Sequence, residues 1–355
     1  MREIHICLPR NHQQYREYFI KHPPEGVKGH IIQHWGLFRP LAEFTLSRCD
    51  LLYANNCQFP DLFFARNKPM IADLEGHFSD YAKKNMDRLV GNPRLKKVIF
   101  NTDWAYNDAL KYLKDIKNRD KLEPPCPAVA TDVQKRARHD DNEIWLLFIG
   151  EDFYRKSGDL IVDAFAELQK KYDNLKLILV SSKTYHTSIE KLAGVKAEGY
   201  FWDKNIPEIR KNKGIVYLHK WIPDEKIRYY YENSDIFLFP TKWETFGFCL
   251  LEAMAHSLPI ITSDVDPIPE VVGEDAALFL NFRNSPYKEM FFSQEFRKKT
   301  INDLVGKLSL LIEDRQLRIK MGNAGRRLVE KKYDLKKRNK RMKEICEEAV
   351  GWKTG

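Results

Sequence analysis

The stretch that decides the fold runs Phe237-Leu-Phe-Pro-Thr-Lys-Trp-Glu-Thr-Phe-Gly-Phe-Cys-Leu-Leu-Glu-Ala-Met-Ala255. Around its start, residues 236–240 form a short apolar run that predicts a buried strand. Residues 245–255 predict a helix that is apolar on every side except at Glu252. Strand, loop and helix in this order are typical of an α/β protein built on a parallel sheet.

Two glutamates of this stretch are candidate ligand groups. Burying a carboxylate at Glu252, between Leu251 and Ala253, costs several kcal/mol unless a protein partner or a ligand hydroxyl hydrogen-bonds it. Glu244 lies in the loop at the carboxyl end of the predicted strand, which is where open α/β sheets bind their ligands. We expect the two carboxylates to flank one pocket. The residues alone also allow glutamates that are exposed or paired with Lys or Arg.

The start of the predicted helix offers hydrogen-bond donors to the same pocket. We expect Thr245, Phe246 and Gly247 to form its first turn, with free amide groups that point at the ligand. Gly247 would let a ligand approach the backbone closely. Such donors suit phosphate or sugar oxygens.

Length and strand pattern predict two domains. A chain of 355 residues, 43% of them hydrophobic, exceeds what one hydrophobic core usually serves. Apolar runs alternate with helical stretches on both sides of a proline-containing segment, which indicates a parallel sheet in each half. The predicted parts are an N-terminal domain over 1–125, a linker over 126–142, a second domain over 143–334 and a basic C-terminal helix over 335–355.

Cysteines and hydropathy exclude several classes of protein. The six cysteines are scattered, without a C-x-x-C motif or histidines at ligand spacing, so we expect neither structural zinc nor a disulfide framework. The opening apolar run is too short for a signal peptide, and the run over 144–149 is too short to span a bilayer. We therefore expect a soluble cytoplasmic protein.

Positive charge is concentrated near the C-terminus. The formal net charge is +9, and residues 326–343 contain ten Lys or Arg against two acidic residues. Such a segment is either a solvated helix face or a surface for peripheral contact with an anionic membrane. No recognised nucleic-acid-binding motif accompanies the charge, so we expect no nucleic-acid partner.

The run from Trp243 to Ala255, followed by Leu-Pro-Ile-Ile at 258–261, resembles the E-x7-E signature of the GT4 family of retaining glycosyltransferases. The resemblance covers residues 144–329 well and the first 120 residues only by architecture. It implies the GT-B fold, in which two Rossmann-like doubly wound parallel-sheet domains face a cleft. In that fold the last helix crosses back to the first domain.

The resemblance also implies roles for individual residues around a nucleotide-diphosphate sugar. Glu252 would accept hydrogen bonds from the ribose, and Glu244 would act at the donor sugar together with Thr245, Phe246, Gly247 and Phe248. Arg155 and Lys156 would bind the diphosphate; Glu151 stands where the family commonly has an arginine, so Arg155 is the substitute. Two further residues are implied, namely His77 as an active-site histidine and Trp221 as a contact for the base.

The resemblance bears on metal, cofactor and reaction. Asp264-Val-Asp266 after a predicted strand would suit a divalent cation, but residues 264–273 resemble the GT4 segment that ends in Pro-Glu-Val-Val. We expect no metal and no cofactor, with the nucleotide sugar as co-substrate. The implied reaction is metal-independent, retaining transfer to an unidentified sugar, lipid-linked or small-molecule hydroxyl acceptor. The alternatives are an inactive GT-B scaffold that binds sugar or anionic surfaces, and a GT-B phosphorylase or epimerase.

Overall fold

Two compact units make up the protein. One contains Met1–Ala128 and Tyr333–Gly355, and the other contains Val129–Lys332. A computed structural model describes residues 3–8, 17–32, 39–54, 66–74, 86–133, 142–181, 207, 209–219 and 222–352.

The first unit is built on a six-stranded parallel sheet with the order β2-β1-β3-β4-β5-β6. Its strands are β1 (Ile4–Leu8), β2 (Val27–Ile31), β3 (Leu51–Ala54), β4 (Met70–Asp73), β5 (Leu95–Ile99) and β6 (Leu122–Glu123). Helices α1 (Arg39–Ser47), α2 (Met86–Val90) and α3 (Asp103–Tyr112) lie between them, with a π-helical turn at Glu17–Lys21 and a 3-10 helix at Ile116–Lys121. Strands β3 and β4 are buried along their whole length, as expected for central strands of a parallel sheet.

A disulfide joins Cys7 on β1 to Cys49, just before β3. The expectation of no disulfide is therefore wrong for this pair. The two cysteines are 42 residues apart in sequence, but β1 and β3 are hydrogen-bonded neighbours, with Cys7 opposite Leu52. Strand pairing, which spacing alone does not reveal, brings the two sulfurs together.

The second unit is built on another six-stranded parallel sheet, with the order β12-β11-β10-β7-β8-β9. Its strands are β7 (Ile144–Ile149), β8 (Leu175–Val180), β9 (Ile215–Leu218), β10 (Ile236–Phe239), β11 (Ile260–Ser263) and β12 (Ala277–Leu280). Its helices are α4 (Gly158–Leu168), α5 (Asp224–Asn233), α6 (Phe248–Ala255), α7 (Ile268–Val272), α8 (Tyr287–Phe292), α9 (Gln294–Glu313) and α10 (Arg315–Lys332). Two Rossmann-like parallel-sheet domains are thus confirmed.

Helix α6 begins at Phe248, so the prediction that residues 245–247 form its first turn is wrong. Gly247 has a left-handed φ of 84° and precedes the helix as its N-cap. Glycine adopts this conformation without strain, and a Cβ here would lie 2.9 Å from Leu250 Cδ1. Thr245 and Phe246 therefore belong to the loop that leads into the helix.

The basic helix α11 (Leu335–Ala349) belongs to the first unit and packs on β4 and β5. The Arg338 guanidinium is buried 3.8 Å from the centre of the Tyr18 ring, and Arg341 pairs with Glu123 at 2.6 Å. Part of the C-terminal charge is therefore structural, while membrane contact through the exposed lysines of α11 stays a prediction. In the part of the chain that the structure describes, no helix has the length and hydrophobicity to cross a bilayer.

Candidate functional site

The second sheet has one place where the order of strand addition reverses. The chain runs from β7 outward through β8 to β9, then returns to place β10 on the other side of β7. Because β7 and β10 are parallel neighbours, their carboxyl ends meet at the same edge of the sheet. Such a switch point opens the crevice in which doubly wound sheets bind ligands. Two loops leave it: the Lys156 loop (residues 150–157) after β7 and the Glu244 loop (residues 240–247) after β10.

The Lys156 loop is held in an unusual backbone conformation. Asp152 and Ser157 have left-handed φ angles of 64° and 59°, which non-glycine residues adopt uncommonly, aspartate more readily than serine, and usually with the support of surrounding contacts. One such contact comes from Arg155, which donates from Nε to Asp152 at 3.0 Å and from Nη1 to the Trp243 carbonyl at 2.7 Å. The Arg155 guanidinium thus ties the two loops together, and its contact with a diphosphate stays a prediction.

Lys156 and Glu244 form a buried ion pair at the centre of the site. Their exposed fractions are 6% and 8%, and the Lys156 ammonium contacts Glu244 Oε2. Burial lowers the pKa of Lys156 well below its usual range, and the nearby Arg155 charge lowers it further; the contact with Glu244 favours the charged form. The other Glu244 oxygen accepts from the Thr245 amide at 3.0 Å. Taking either member of such a pair away leaves an unpaired buried charge.

The second glutamate of the motif has a protein partner that was not predicted from sequence. The Tyr231 hydroxyl, buried at the end of α5, donates to Glu252 Oε2 at 2.8 Å. Burial raises the pKa of Tyr231 well above its usual range, and the Glu252 charge raises it further, so the phenol stays a donor. Burial raises the pKa of the Cys249 thiol to about 12, while the Lys156 charge lowers it and the Glu252 charge raises it.

The other predicted site residues are placed as follows. The Phe246 side chain is buried, with its ring centre 4.6 Å from that of Phe248, so Phe246 can offer a ligand only its backbone. Thr245, Gly247 and Phe248 are partly exposed beside it. His77 and Trp221 lie outside the described residues.

The two aspartates considered as metal ligands are engaged by protein donors. Asp264 Oδ1 accepts from the backbone amides of Phe282 and Arg283 at 2.6 and 2.8 Å. Asp266 pairs with the Arg283 guanidinium at 3.0 Å. These contacts connect the end of β11 to the segment after β12.

Comparison with known proteins assigns the family. Residues 130–328 match the family model "Glycosyl transferases group 1", and the chain belongs to this family. Among curated relatives, the alpha-monoglucosyldiacylglycerol synthase of Acholeplasma laidlawii is 23% identical over 239 residues, which cover 62% of this chain and 56% of the relative. Sulfoquinovosyl transferase SQD2 of Arabidopsis thaliana is 33% identical over 104 residues, 29% of this chain and 18% of the relative. The chain thus spans less than two thirds of either relative.

A solved structure extends the likeness of fold beyond the matched domain. Anabaena HepE in complex with UDP-glucose superposes with a TM-score of 0.65 at 14% identity, and the alignment covers 98% of this chain and all of the other. At this identity the likeness concerns the fold, and it supports the GT-B class predicted from sequence.

His256, at the C-terminal end of α6, predicts a pH dependence of stability. Its Nδ1 donates to the Glu252 carbonyl at 2.8 Å, and its Nε2 is buried without a hydrogen-bond partner among the described residues. Burial lowers the pKa of His256 below 6.5, although the hydrogen bond to the Glu252 carbonyl and the Glu232 charge oppose this; Arg228 and Arg326 add to the lowering. As the pH falls below about 6.5, His256 therefore binds a proton in the unfolded chain at a higher pH than it does in the folded protein. The free energy of unfolding is therefore expected to fall as the pH drops from 6.5.

Denaturant unfolding of the wild type and of His256→Asn at pH 7.5 and 5.5 measures this contribution. Asparagine keeps a donor for the Glu252 carbonyl and does not titrate. We expect the variant to lose less stability than the wild type between the two pH values. Equal losses would show that His256 does not contribute.

Proposed function

We propose that this chain is a retaining glycosyltransferase that uses a nucleoside diphosphate sugar as donor and needs no metal ion. The observation that carries the proposal is the constellation at the β7–β10 switch point. Three neighbouring segments of a group 1 family domain meet there. They supply a buried lysine for a diphosphate, a buried glutamate for the sugar, and a second glutamate, oriented by a tyrosine, for the ribose.

The proposed reaction exchanges one C1–oxygen bond for another. The bond between C1 of the sugar and the diphosphate breaks, and its electron pair stays on the β-phosphate oxygen. A hydroxyl oxygen of the acceptor bonds to C1 and loses its proton, so the products are a glycoside, a nucleoside diphosphate and a proton. Lys156 would stabilise the charge that develops on the diphosphate, because a buried ammonium acts strongly where water is excluded.

Donor binding in this proposal begins with an exchange of partners. The diphosphate offers Lys156 more negative charge than Glu244 does, so it takes over the ammonium that Glu244 contacts in the ligand-free protein. Glu244 can then accept hydrogen bonds from hydroxyls of the donor sugar. Glu252, oriented by the Tyr231 hydroxyl, accepts hydrogen bonds from the ribose.

The names of relatives suggest which acceptors to test. The relative from Acholeplasma laidlawii is a synthase of a glucosylated diacylglycerol, so lipid hydroxyls are the first class. Because the matches are partial, sugar and small-molecule acceptors remain in the screen.

Calorimetry and thermal shift with UDP, GDP and ADP and their glucose conjugates, with and without magnesium, test the donor site. A nucleotide that binds the folded state raises the melting temperature with its concentration. We expect one nucleotide to bind without magnesium, and Glu252→Ala to weaken it about tenfold or more, because charge-assisted hydrogen bonds to the ribose are lost.

The matched control is Glu167→Ala, which removes an exposed glutamate on α4 that pairs only with Lys170 among the contacts described. Its affinity should equal that of the wild type. Failure of every nucleotide to bind would reject the donor site and favour the scaffold alternative. Binding that requires magnesium would reject the metal-independent mechanism, and phosphorolysis or epimerisation without transfer would favour the other alternative.

A further inference from the structure

We infer that Lys242 is a positioning residue that fixes the Lys156 loop for the diphosphate without touching the ligand. This inference rests on the proposed function. It concerns a lysine two residues before Glu244 whose side chain is 2% exposed and whose ammonium is bound by protein acceptors.

The contacts of Lys242 lie on both sides of Lys156. The Lys242 ammonium donates to the Tyr154 carbonyl at 2.7 Å and to Ser157 Oγ at 2.9 Å. The Lys242 backbone amide donates to the carbonyl of Arg155 at 2.9 Å. One residue of the Glu244 loop thus holds the residues immediately before and after Lys156.

The conformation of Ser157 explains why such an anchor is needed. Its left-handed backbone is unfavourable for a side chain with a Cβ, and its side chain caps no amide of α4. A turn of this kind persists only where other contacts over-determine it. The next residue, Gly158, admits no substitute, because a Cβ there would lie 2.3 Å from the Phe153 ring. The Lys242 hydrogen bond to Ser157 Oγ supplies one of the enforcing contacts.

The protein groups around the Lys242 ammonium offset the free-energy cost of burying its charge. Besides its two acceptors, the ammonium has Asp159 Oδ1 at 3.7 Å and the Phe291 ring centre at 5.1 Å. Asp159 is bound on its other oxygen by Arg297 at 2.5 Å. Of the three ammonium donors, two are therefore satisfied by the Tyr154 carbonyl and the Ser157 hydroxyl, and Asp159 Oδ1 lies just beyond hydrogen-bond distance. An aliphatic side chain would fill the same space but remove two hydrogen bonds, the one to the Ser157 hydroxyl and the one to the Tyr154 carbonyl, which also accepts from the Ser157 amide at 3.1 Å.

The test compares two binding affinities in Lys242→Met, those for UDP and for uridine, with GDP and guanosine as a second pair. Methionine has a similar length and no donor. If Lys242 positions the Lys156 loop, affinity for the diphosphate should fall about tenfold, as for the loss of one charge-assisted contact, while affinity for the nucleoside should not change. A merely structural role would not separate the two ligands.

Lys97→Met is the matched control, because it removes an ammonium from the buried Glu123 at 2.7 Å in the first unit and leaves every contact of the Lys156 loop in place. It should lower the melting temperature and leave both affinities unchanged. Loss of diphosphate affinity to the same degree in this control, or equal loss for nucleoside and diphosphate, would overturn the inference.

Ser157→Ala covers the case in which Lys242→Met does not fold. It removes one acceptor of the Lys242 ammonium and should weaken diphosphate binding about threefold, as for one ordinary hydrogen bond. If either variant folds and binds the diphosphate with wild-type affinity, the positioning role of Lys242 is refuted. The proposed function is not affected by that result. Failure of the wild type to bind any nucleoside diphosphate would remove the proposed function, and this inference with it.

Discussion

Lys156→Met is expected to weaken binding of the nucleoside diphosphate about a hundredfold and to destabilise the protein. Binding falls because the buried ammonium is the proposed partner of the diphosphate, and a charge-assisted contact contributes about 1.5 to 3 kcal/mol. Stability falls because Glu244, 8% exposed, loses the ammonium that it contacts; breaking a buried pair costs about 3 to 5 kcal/mol. Calorimetry and urea unfolding measure the two effects.

The double variant Lys156→Met/Glu244→Gln separates the two effects. Replacing both charges removes the unpaired carboxylate, so most of the lost stability should return while the nucleotide affinity stays low. Lys170→Met, at an exposed lysine paired with Glu167, should change neither quantity. Recovery of nucleotide binding in the double variant would argue against direct contact between Lys156 and the diphosphate.

Glu244→Gln is expected to have opposite effects on binding and on turnover. Without the carboxylate, the Lys156 ammonium has no anionic partner to exchange, so the nucleoside diphosphate should bind more tightly than to the wild type. Sugar transfer should slow about a hundredfold, the scale seen when one preorganised polar contact at a reacting centre is removed. Calorimetry with the nucleotide and initial rates with the nucleotide sugar check the two signs.

Of the two expected effects, the tighter binding of the nucleoside diphosphate is the one that depends on the ion pair between Lys156 and Glu244. If Glu244 only contacted the sugar, the variant would bind the nucleoside diphosphate as the wild type does. Weaker nucleotide binding would mean that Glu244 supports the Lys156 loop and does not compete for its charge. Glu330→Gln, at a half-exposed glutamate paired with Arg326, is the control for loss of a negative charge in the same unit.

Much of the second sheet could be predicted because its strands are continuous apolar runs. The β7 run of six residues and the β10 run are buried on both faces, which requires apolar residues at successive positions. Strand β2 was not predicted, because Val27–Ile31 is an edge strand with the exposed Lys28 and a glycine. Edge strands do not need a buried pattern.

The family resemblance assigned Lys156 and Glu244 to one site, but the contacts within that site could be predicted only between residues that are close in sequence. The spacing of Glu244 and Glu252 follows from one loop and one helix, which local pattern reveals. Lys156 lies 88 residues from Glu244, and the partners of Lys242 are 85 and 88 residues away. Such pairs depend on which strands become neighbours. The start of α6 was misplaced for a different reason, since Gly247 could be either a first helical residue or, as observed, a left-handed cap.

The division of the chain into units has a consequence for biosynthesis. The second unit is one continuous segment, whereas the first is completed only by α11. As the chain emerges from the ribosome, the Lys156 and Glu244 loops can therefore close their sheet while β4 and β5 still lack the helix that packs on them. Nascent chains that stall before α11 would carry a finished second unit beside an uncovered apolar surface, which is the kind of surface that chaperones and proteases recognise.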